Sequence, residues 1–369
     1  MLPVFKNGEH MKKVWSSYKK VLDKIAFLDY NIKVAGVAQS VVQLIRNQQV
    51  VCSSHITSSN NNGKALAKAG AFFKRKRKAM NLCDIKTIKQ VMAMFSLNFR
   101  KEFGQNFLTN NMVVEDIADN CCTHADSTIL EIGPGIGSLT KELAERYKNV
   151  VSLEIDHGLI PVLKYTLDAY RNVKIINEDV MKADLGEILA PYFAEGKVSV
   201  AANLPYYITT PILMKLLESG LPFEYITIMI QSEVADRLCA TPGDKNCGAI
   251  TSVLNYYGQP EKLFTVTADN FIPAPKVDSS VVRIKLHREK PYNPVDEETF
   301  FRTIRASFEQ RRKTLPNSLA SVFGELTKEE LIEIIVKCNF DPTIRGEKLG
   351  VADFVTLSDE IFARIKDKK

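Results

Sequence analysis

A short apolar stretch that runs into alternating glycines constrains the fold of this chain more than any other segment. Residues 128–139 read TILEIGPGIGSL, and the apolar run from Ile129 to Ile132 ends at Gly133. Together with Gly135 and Gly137, this glycine permits a tight turn and lets a ligand approach the bare backbone. The helix expected next would present unpaired N–H groups. This strand–turn–helix pattern predicts a nucleotide-type pocket.

Acidic residues follow three successive strand candidates. The loop reads E-x-G-P-G-x-G rather than G-x-G-x-x-G, and its acid, Glu131, suits a cationic ligand better than a pyrophosphate. Glu154 ends the apolar run 150–153, where ribose hydroxyls are usually held, and Asp179 follows the strand candidate Val173 to Asn177. On one edge of a parallel sheet these acids would meet a ligand with ribose, adenine and positive charge. S-adenosylmethionine fits that description.

The segment 201–207, AANLPYY, carries the expected chemistry at the end of the fourth strand. A purine amino group is a poor nucleophile, because its lone pair is delocalised into the ring. The Asn203 carboxamide oxygen and the Leu204 carbonyl can accept both amino hydrogens and localise that pair. Pro205 fixes its backbone angle, and Tyr206 offers a ring for stacking an extruded base, worth about 1–3 kcal/mol. The segment predicts methylation of adenine by direct displacement, in which alignment supplies most of the catalysis.

Charge is concentrated in the first 79 residues. They contain fifteen lysines and arginines but only three acids, whereas the whole chain carries a net charge of +6. A polar tract, 53–63, and the run Lys74 to Lys78 predict a disordered segment. Three interpretations stay open: a nucleic-acid-binding arm, an organelle-targeting segment, or upstream sequence before a natural start at Met80.

Cysteine and histidine usage argues against disulfides and metals. Seven cysteines include the neighbours Cys121 and Cys122 but no C-x-x-C, and five histidines are scattered along the chain. We therefore expect reduced thiols, a cytoplasmic location and no metal site. No apolar run approaches the roughly 18 residues that a membrane span needs, so we expect no membrane partner.

The remainder of the chain predicts two domains. Residues 80–288 read as an α/β, Rossmann-like methyltransferase domain, with a helix from Met112 to Cys121 and a final strand from Val281 to Leu286. Residues 289–369 read as a small helical domain that binds RNA. Its first helix, from Asp296, and the loop after it carry a basic cluster that would meet phosphates: Arg302, Arg305, Arg311, Arg312 and Lys313. Later helices are expected over 328–338 and 351–365.

From about Met80 onward the chain resembles the ribosomal RNA adenine dimethyltransferases, most closely the small-subunit, KsgA-like branch. The matching segments are FGQNFL (103–108), EIGPGIGSLT (131–140), LEID (153–156), NED (177–179), NLPYYITTP (203–211), FIPAPKVDSSVVR (271–283) and FEQRRKTLPNSL (308–319). The resemblance implies a methyl-donor site lined by Asn106, Leu108, Gly133, Glu154, Asp179 and Asn203, with Gly135 in the same turn. It also implies dimethylation of two adjacent adenines in a hairpin near the 3′ end of small-subunit (16S) ribosomal RNA. The implied substrate is an immature subunit, and a monomer is expected.

Two positions depart from the branch. Pro316 stands where a basic residue is usual. Ser232 lies in the sequence Gln-Ser-Glu, where the branch is expected to have Gln-Lys-Glu. Both departures predict weaker contacts with the RNA backbone rather than a changed methyl-donor site.

Other functions share this fold. The large-subunit branch that confers macrolide-type resistance uses the same chemistry, although it more often has isoleucine at the position of Leu204. Adenine methylation of duplex DNA uses a similar acceptor loop. A ribosome-assembly or transcription factor that binds RNA or DNA without needing catalysis is an alternative of another class.

We expect a chain that begins at Met80 to fold and methylate ribosomal RNA at the rate of the full chain, because every motif lies beyond that residue. Methyl incorporation by the two proteins, measured in parallel, tests this. Loss of RNA binding on removing residues 1–79 would show instead that they form a binding arm.

Overall fold

The computed structural model describes residues 80–99, 104–310 and 312–368. The predictions for the leader and for Arg311 therefore lie outside the described residues. Lys86–Asn98 belong to a different compact unit from Asn81–Ile85 and Phe99–Lys369. Helix α1 (Ile85–Met94) buries Ile88, Val91 and Met92 on one face, as their spacing predicts.

Within residues 104–310 the strands form a two-stranded and a seven-stranded sheet. They are β1 (Phe107–Leu108), β2 (Thr128–Ile132), β3 (Asn149–Glu154), β4 (Val173–Asn177), β5 (Val198–Asn203), β6 (Phe223–Gln231), β7 (Gly258–Val266), β8 (Phe271–Ile272) and β9 (Ser279–Leu286). The large sheet has the order β4-β3-β2-β5-β6-β9-β7. The five strands from β4 to β6 are parallel, and β9 runs antiparallel to both of its neighbours. The strand order reverses at β2, which is where such sheets bind ligands.

Helices connect and cover these strands. Those of the sheet region are α2 (Asn111–Asp119), α3 (Ser138–Arg146), α4 (Leu159–Thr166), α5 (Leu185–Glu195), α6 (Thr209–Glu218), α7 (Ser232–Leu238) and α8 (Ala249–Tyr257). Alternate residues of β2 face opposite layers: Ile129 packs in a cluster with α2 and α3, whereas Leu130 packs in another with α5 and α6. Because both faces are covered, all five residues of β2 are buried.

The C-terminal helices enclose a separate core. They are α9 (Glu297–Glu309), α10 (Leu315–Ala320), α11 (Lys328–Lys337) and α12 (Val351–Asp367). Phe300, Phe323 and Phe354 are fully buried among them. These helices nevertheless belong to the same compact unit as the sheet, so a domain boundary at 288/289 stays a prediction.

Most of the expected elements are confirmed, with shifts of a few residues at their ends. β4 has the predicted bounds, β9 begins two residues before Val281, and α2 ends two residues before Cys121. No helix among the described residues is long and apolar enough to cross a membrane.

Candidate active site

One cavity lies at the carboxyl edge of β2, β3 and β5. All the cofactor-binding and catalytic residues predicted from the sequence line it: Asn106, Leu108, Gly133, Gly135, Glu154, Asp179, Asn203, Leu204, Pro205 and Tyr206. These ten residues come from five separate segments of the chain, which the fold brings to one place.

The glycine turn has the backbone conformation that its sequence predicts. Gly133 and Gly135 have φ values of 71° and 60°, in the left-handed region that favours glycine. A Cβ atom at Gly135 would also lie 2.8 Å from the Phe107 ring. The turn therefore needs glycine for its conformation and for its close approach to the segment 104–108.

Glu154, the last residue of β3, is held firmly at the cavity wall. Its side chain is 4% exposed. The backbone N–H of Asp156 donates to Oε1 at 2.8 Å, and that of Gly135 donates to Oε2 at 3.3 Å. Burial raises the pKa of this carboxyl to about 7, although those backbone donors oppose the shift. Each oxygen keeps a second lone pair, so the carboxylate can still accept hydroxyl groups.

Glu131 also lines the cavity, but it lies inside β2 rather than at the strand end that the sequence indicated. Ser152 donates to its Oε2 at 2.7 Å. Burial raises the pKa of Glu131 to about 7, although the hydroxyl groups of Thr140 and Ser152 oppose the shift. A buried carboxylate at the wall of the cavity suits a ligand that carries positive charge.

Asp179 lies two residues beyond β4, on the same edge. Its Oδ1 accepts a hydrogen bond from the backbone N–H of Met181 at 2.9 Å, which orients the carboxylate. Between Glu154 and Asp179, the exposed side chain of Ile155 adds an apolar surface to the cavity. Two acids and an apolar side chain fit a nucleoside. The carboxylates can accept hydrogen bonds from the ribose and the edge of the base, and the apolar side chain can pack on the face of the base.

The segment 104–108 crosses the cavity and is tied down at several points. β1 pairs with β8, so that Leu108 lies opposite Phe271. Gln105 Nε2 donates to Asp156 Oδ2 at 3.0 Å, beyond the end of β3. Asn106 provides the carbonyl oxygen to which Asn203 Nδ2 donates at 3.2 Å. These bonds explain why a motif without periodic pattern lines the predicted donor site.

The bond between Asn203 and Asn106 determines how the carboxamide of Asn203 faces its surroundings. Because Nδ2 donates to Asn106, Oδ1 is the atom of Asn203 that remains to accept a donor from a ligand. This is the orientation that acceptance of an amino hydrogen requires.

The residues after Asn203 form a fixed turn into α6. Pro205 offers its carbonyl oxygen to the backbone N–H of Ile208 and to the hydroxyl of Thr209, each at 3.2 Å. Tyr206 is partly buried, and its hydroxyl lies 2.9 Å from Ser279 Oγ at the start of β9. The Tyr206 ring is therefore held at both ends, by the turn and by the sheet.

Sequence reasoning missed two contributors to this site. Phe271 lines the cavity at 5% exposure, and Asp156 anchors the segment 104–108 through Gln105. Both lie in motifs that the family resemblance includes, but neither residue type nor spacing pointed to these contacts.

The cationic residues of the C-terminal helices divide into two groups. Arg305, Arg312 and Lys313 are exposed, and no carboxylate of the described residues forms an ion pair with them. Arg302 was grouped with them from the sequence, but it pairs with Glu325 at 2.8 Å and lies over the Phe323 ring. Arg302 thus stabilises the helical core.

The two departures from the family pattern occupy structural positions. Pro316 is buried in the first turn of α10, where a proline is readily accommodated. Ser232 begins α7, and its Oγ lies 2.8 Å from Ser280 Oγ. The weaker RNA contacts expected from these residues stay a prediction.

A Rossmann-like sheet with a glycine turn, buried acids and the Asn203 loop at one edge is typical of methyltransferases that use a nucleoside-type methyl donor. The family model described as ribosomal RNA adenine dimethylase matches residues 96–361. The small-subunit ribosomal RNA methyltransferase A of Geobacillus thermodenitrificans is 46% identical over 276 residues, which cover 74% of this chain and 94% of the relative. The protein of the same name from Bacillus mycoides is 46% identical over 277 residues, with the same coverage.

Solved structures support the fold. A dimethyladenosine transferase from Plasmodium falciparum aligns with a TM-score of 0.58 at 23% identity, over 68% of this chain and 95% of that one. The 23S ribosomal RNA methyltransferase ErmE aligns with a TM-score of 0.55 at 23% identity, over 69% and 99%. The chain belongs to the ribosomal RNA adenine dimethylase family, and it is an adenine methyltransferase acting on ribosomal RNA.

Replacing Glu154 by glutamine should weaken donor binding while leaving the rate at saturating donor largely unchanged. Loss of hydrogen bonds to a charged group corresponds to roughly 1.5–3 kcal/mol, or about 10- to 100-fold in affinity. Titration calorimetry and the dependence of rate on donor concentration measure both effects. A variant that stays slow at saturation would contradict the ribose-binding role.

The same variant should make the ligand-free protein more stable at pH 8. A carboxyl whose pKa rises on folding, here from 4.5 to about 7, destabilises the fold increasingly as pH rises through that window. Thermal unfolding should therefore show a gain for Glu154→Gln at pH 8 and little change at pH 4.5. Glu289→Gln, which alters an exposed acid outside the cavity, is the control and should show neither effect.

Replacing Asn203 by alanine should abolish most turnover, by roughly 10²- to 10³-fold if Oδ1 acts as a preorganised electrostatic group. Donor affinity should fall far less, because the bond lost within the protein is one neutral hydrogen bond, worth about 0.5–1.5 kcal/mol. Single-turnover rates and donor titrations separate the two quantities. Equal losses in rate and donor affinity would indicate that Asn203 contacts the cofactor rather than the target base.

Proposed function

We propose that this protein transfers methyl groups from S-adenosylmethionine to two adjacent adenines in a hairpin near the 3′ end of small-subunit (16S) ribosomal RNA. The observation that carries the proposal is that Asn203 lines the same cavity as Glu154 and Asp179. Its Nδ2 bonds Asn106, so its Oδ1 can accept a hydrogen bond from a base. Donor and base would thus meet within one cavity.

The residues present fit the methyl donor. Glu154 would hold the ribose hydroxyls, and Asp179 would bond the edge of the adenine. The apolar side chain of Ile155 would pack on the face of that adenine. The buried carboxylate of Glu131 would favour the positive end of the ligand. When bound, S-adenosylmethionine supplies a methyl group activated by its sulfonium centre.

The acceptor loop would position the adenine amino group. Asn203 Oδ1 and the Leu204 carbonyl accept the two hydrogens of the amino group. These bonds reduce delocalisation of the nitrogen lone pair into the purine ring, so the lone pair is available to attack the methyl carbon. Tyr206, anchored to Ser279, supports the extruded base. Displacement at a methyl group needs alignment rather than a strong base, so the rigid turn around Pro205 is a suitable device for it.

The exposed cations Arg305, Arg312 and Lys313 would bind RNA phosphates, together with Arg311, which lies outside the described residues. Their contribution should fall steeply with salt concentration. Relatives that are 46% identical are named for the small subunit, which favours that substrate over the large one. An immature subunit as substrate, a monomeric enzyme and a cytoplasmic location complete the proposal.

Radiolabelled methyl transfer to isolated small and large subunits from a strain lacking this gene tests the proposal. We expect label in dimethyladenosine at two adjacent positions near the small-subunit 3′ end. Label only in large subunits would assign the protein to the other branch. No label in either subunit, with the donor bound, would favour a binding factor.

A further inference from the structure

An exposed aromatic ring stands at the mouth of the cavity. Tyr207 is 64% exposed, although it follows directly on the acceptor loop, which is half-buried. Among the large apolar side chains that are exposed in the described residues, only Ile155 and Tyr207 line the cavity. Ile155 lies on the side of the donor-binding acids, whereas Tyr207 lies on the side of the base acceptor. An exposed ring in that position is available to the substrate.

The Tyr207 ring is presented by a rigid backbone. The two hydrogen bonds to the Pro205 carbonyl fix the turn on both sides of it, and α6 begins two residues later. On one edge the ring approaches Gly104, where an added Cβ atom would lie 3.4 Å from Tyr207 Cε1. The backbone of the segment 104–108 thus limits the ring on that edge, and the rest of the ring stays open.

Tyr207 differs from Tyr206 in what holds its hydroxyl. Tyr206 bonds Ser279, which keeps its ring in the wall of the cavity, whereas no side chain or backbone group of the described residues bonds the Tyr207 hydroxyl. Tyr206 and Tyr207 are adjacent in the chain and line the same cavity, so the nucleotide next to a base on Tyr206 passes beside the Tyr207 ring.

We propose that Tyr207 stacks on the base adjacent to the adenine held in the cavity. This inference rests on the proposed function, in which the two target adenines are neighbours. While one adenine occupies the acceptor loop, the other lies on Tyr207, and the two exchange positions between the successive modifications. Tyr207 is then a substrate-positioning residue, and it acts on the affinity for RNA more than on the rate of transfer.

The test compares Tyr207→Ala with Tyr207→Phe, which keeps the ring. Met112→Ala, a change at a similarly exposed apolar residue outside the cavity, is the control. Substrates are small subunits reconstituted with intact ribosomal RNA, or with an abasic nucleotide in place of one target adenine. We expect Tyr207→Ala to raise KM for intact subunits roughly 5- to 150-fold, the range for one stacked base. Tyr207→Phe and Met112→Ala should leave it unchanged.

The abasic substrate isolates the stacking contact. Wild type and Tyr207→Phe should lose affinity on passing from intact to abasic subunits, whereas Tyr207→Ala should lose no more, because its contact is already absent. The proposal would be overturned if the abasic nucleotide lowered the affinity of Tyr207→Ala for subunits by the same factor as that of wild type. A comparable fall in donor affinity, which would make Tyr207 a support for the segment 104–108, would also overturn it.

The wild-type reaction separates this inference from the proposed function. Label in intact small subunits establishes the substrate, and the behaviour of the Tyr207 variants then decides the role of the ring. Absence of wild-type label from small subunits overturns both proposals together, whereas failure of Tyr207 alone leaves that label in place.

Discussion

The reversal of strand order at β2 is the constraint on which the site depends. β3 lies on one side of β2 and β5 on the other, so the acid that ends β3 and the amide that ends β5 flank one glycine turn. The segment 104–108 then joins the two sides, since Gln105 bonds Asp156 and Asn106 accepts from Asn203. The residues proposed to bind the methyl donor and the target base are thereby held in one arrangement, as a displacement reaction requires.

The acids at this edge show how function opposes stability. Glu131 and Glu154 are almost fully buried, and burial raises the pKa of each to about 7. Both carboxyls therefore destabilise the ligand-free protein above the pH at which they ionise in the unfolded chain. A ligand that bonds the ionised forms would recover that stability on binding. The carboxylates make sense as ligand-binding groups rather than as parts of a stable core.

The sequence predicted the sheet edge well because its signals are local. The apolar runs of β2, β3 and β4, the glycine turn and the segment after Asn203 each carry their information within a few residues. The residues predicted from these segments lie together at the cavity. The segment 104–108 was placed at the site by family resemblance, since a two-residue strand paired with β8 has no periodicity to detect.

Contacts between distant residues were beyond the sequence. Arg302 was grouped with the cations predicted to bind phosphates because its charge and spacing matched, yet its partner, Glu325, lies on another segment. Pro316 was interpreted from the basic residue usual at that position, and the structure adds that it is buried in the first turn of α10. The sequence did not distinguish Tyr207 from Tyr206, whereas the structure does, by the exposure of the Tyr207 ring and by the bond of the Tyr206 hydroxyl to Ser279.

A crystal structure of the protein bound to S-adenosylhomocysteine tests the shared cavity most directly. We expect the ribose hydroxyls on the Glu154 carboxylate, and the sulfur atom on the side of the cavity where Asn203 Oδ1 and the Leu204 carbonyl lie. A ligand bound elsewhere, or one whose sulfur is separated from Asn203 by the glycine turn, would contradict the arrangement of donor and acceptor proposed for this enzyme.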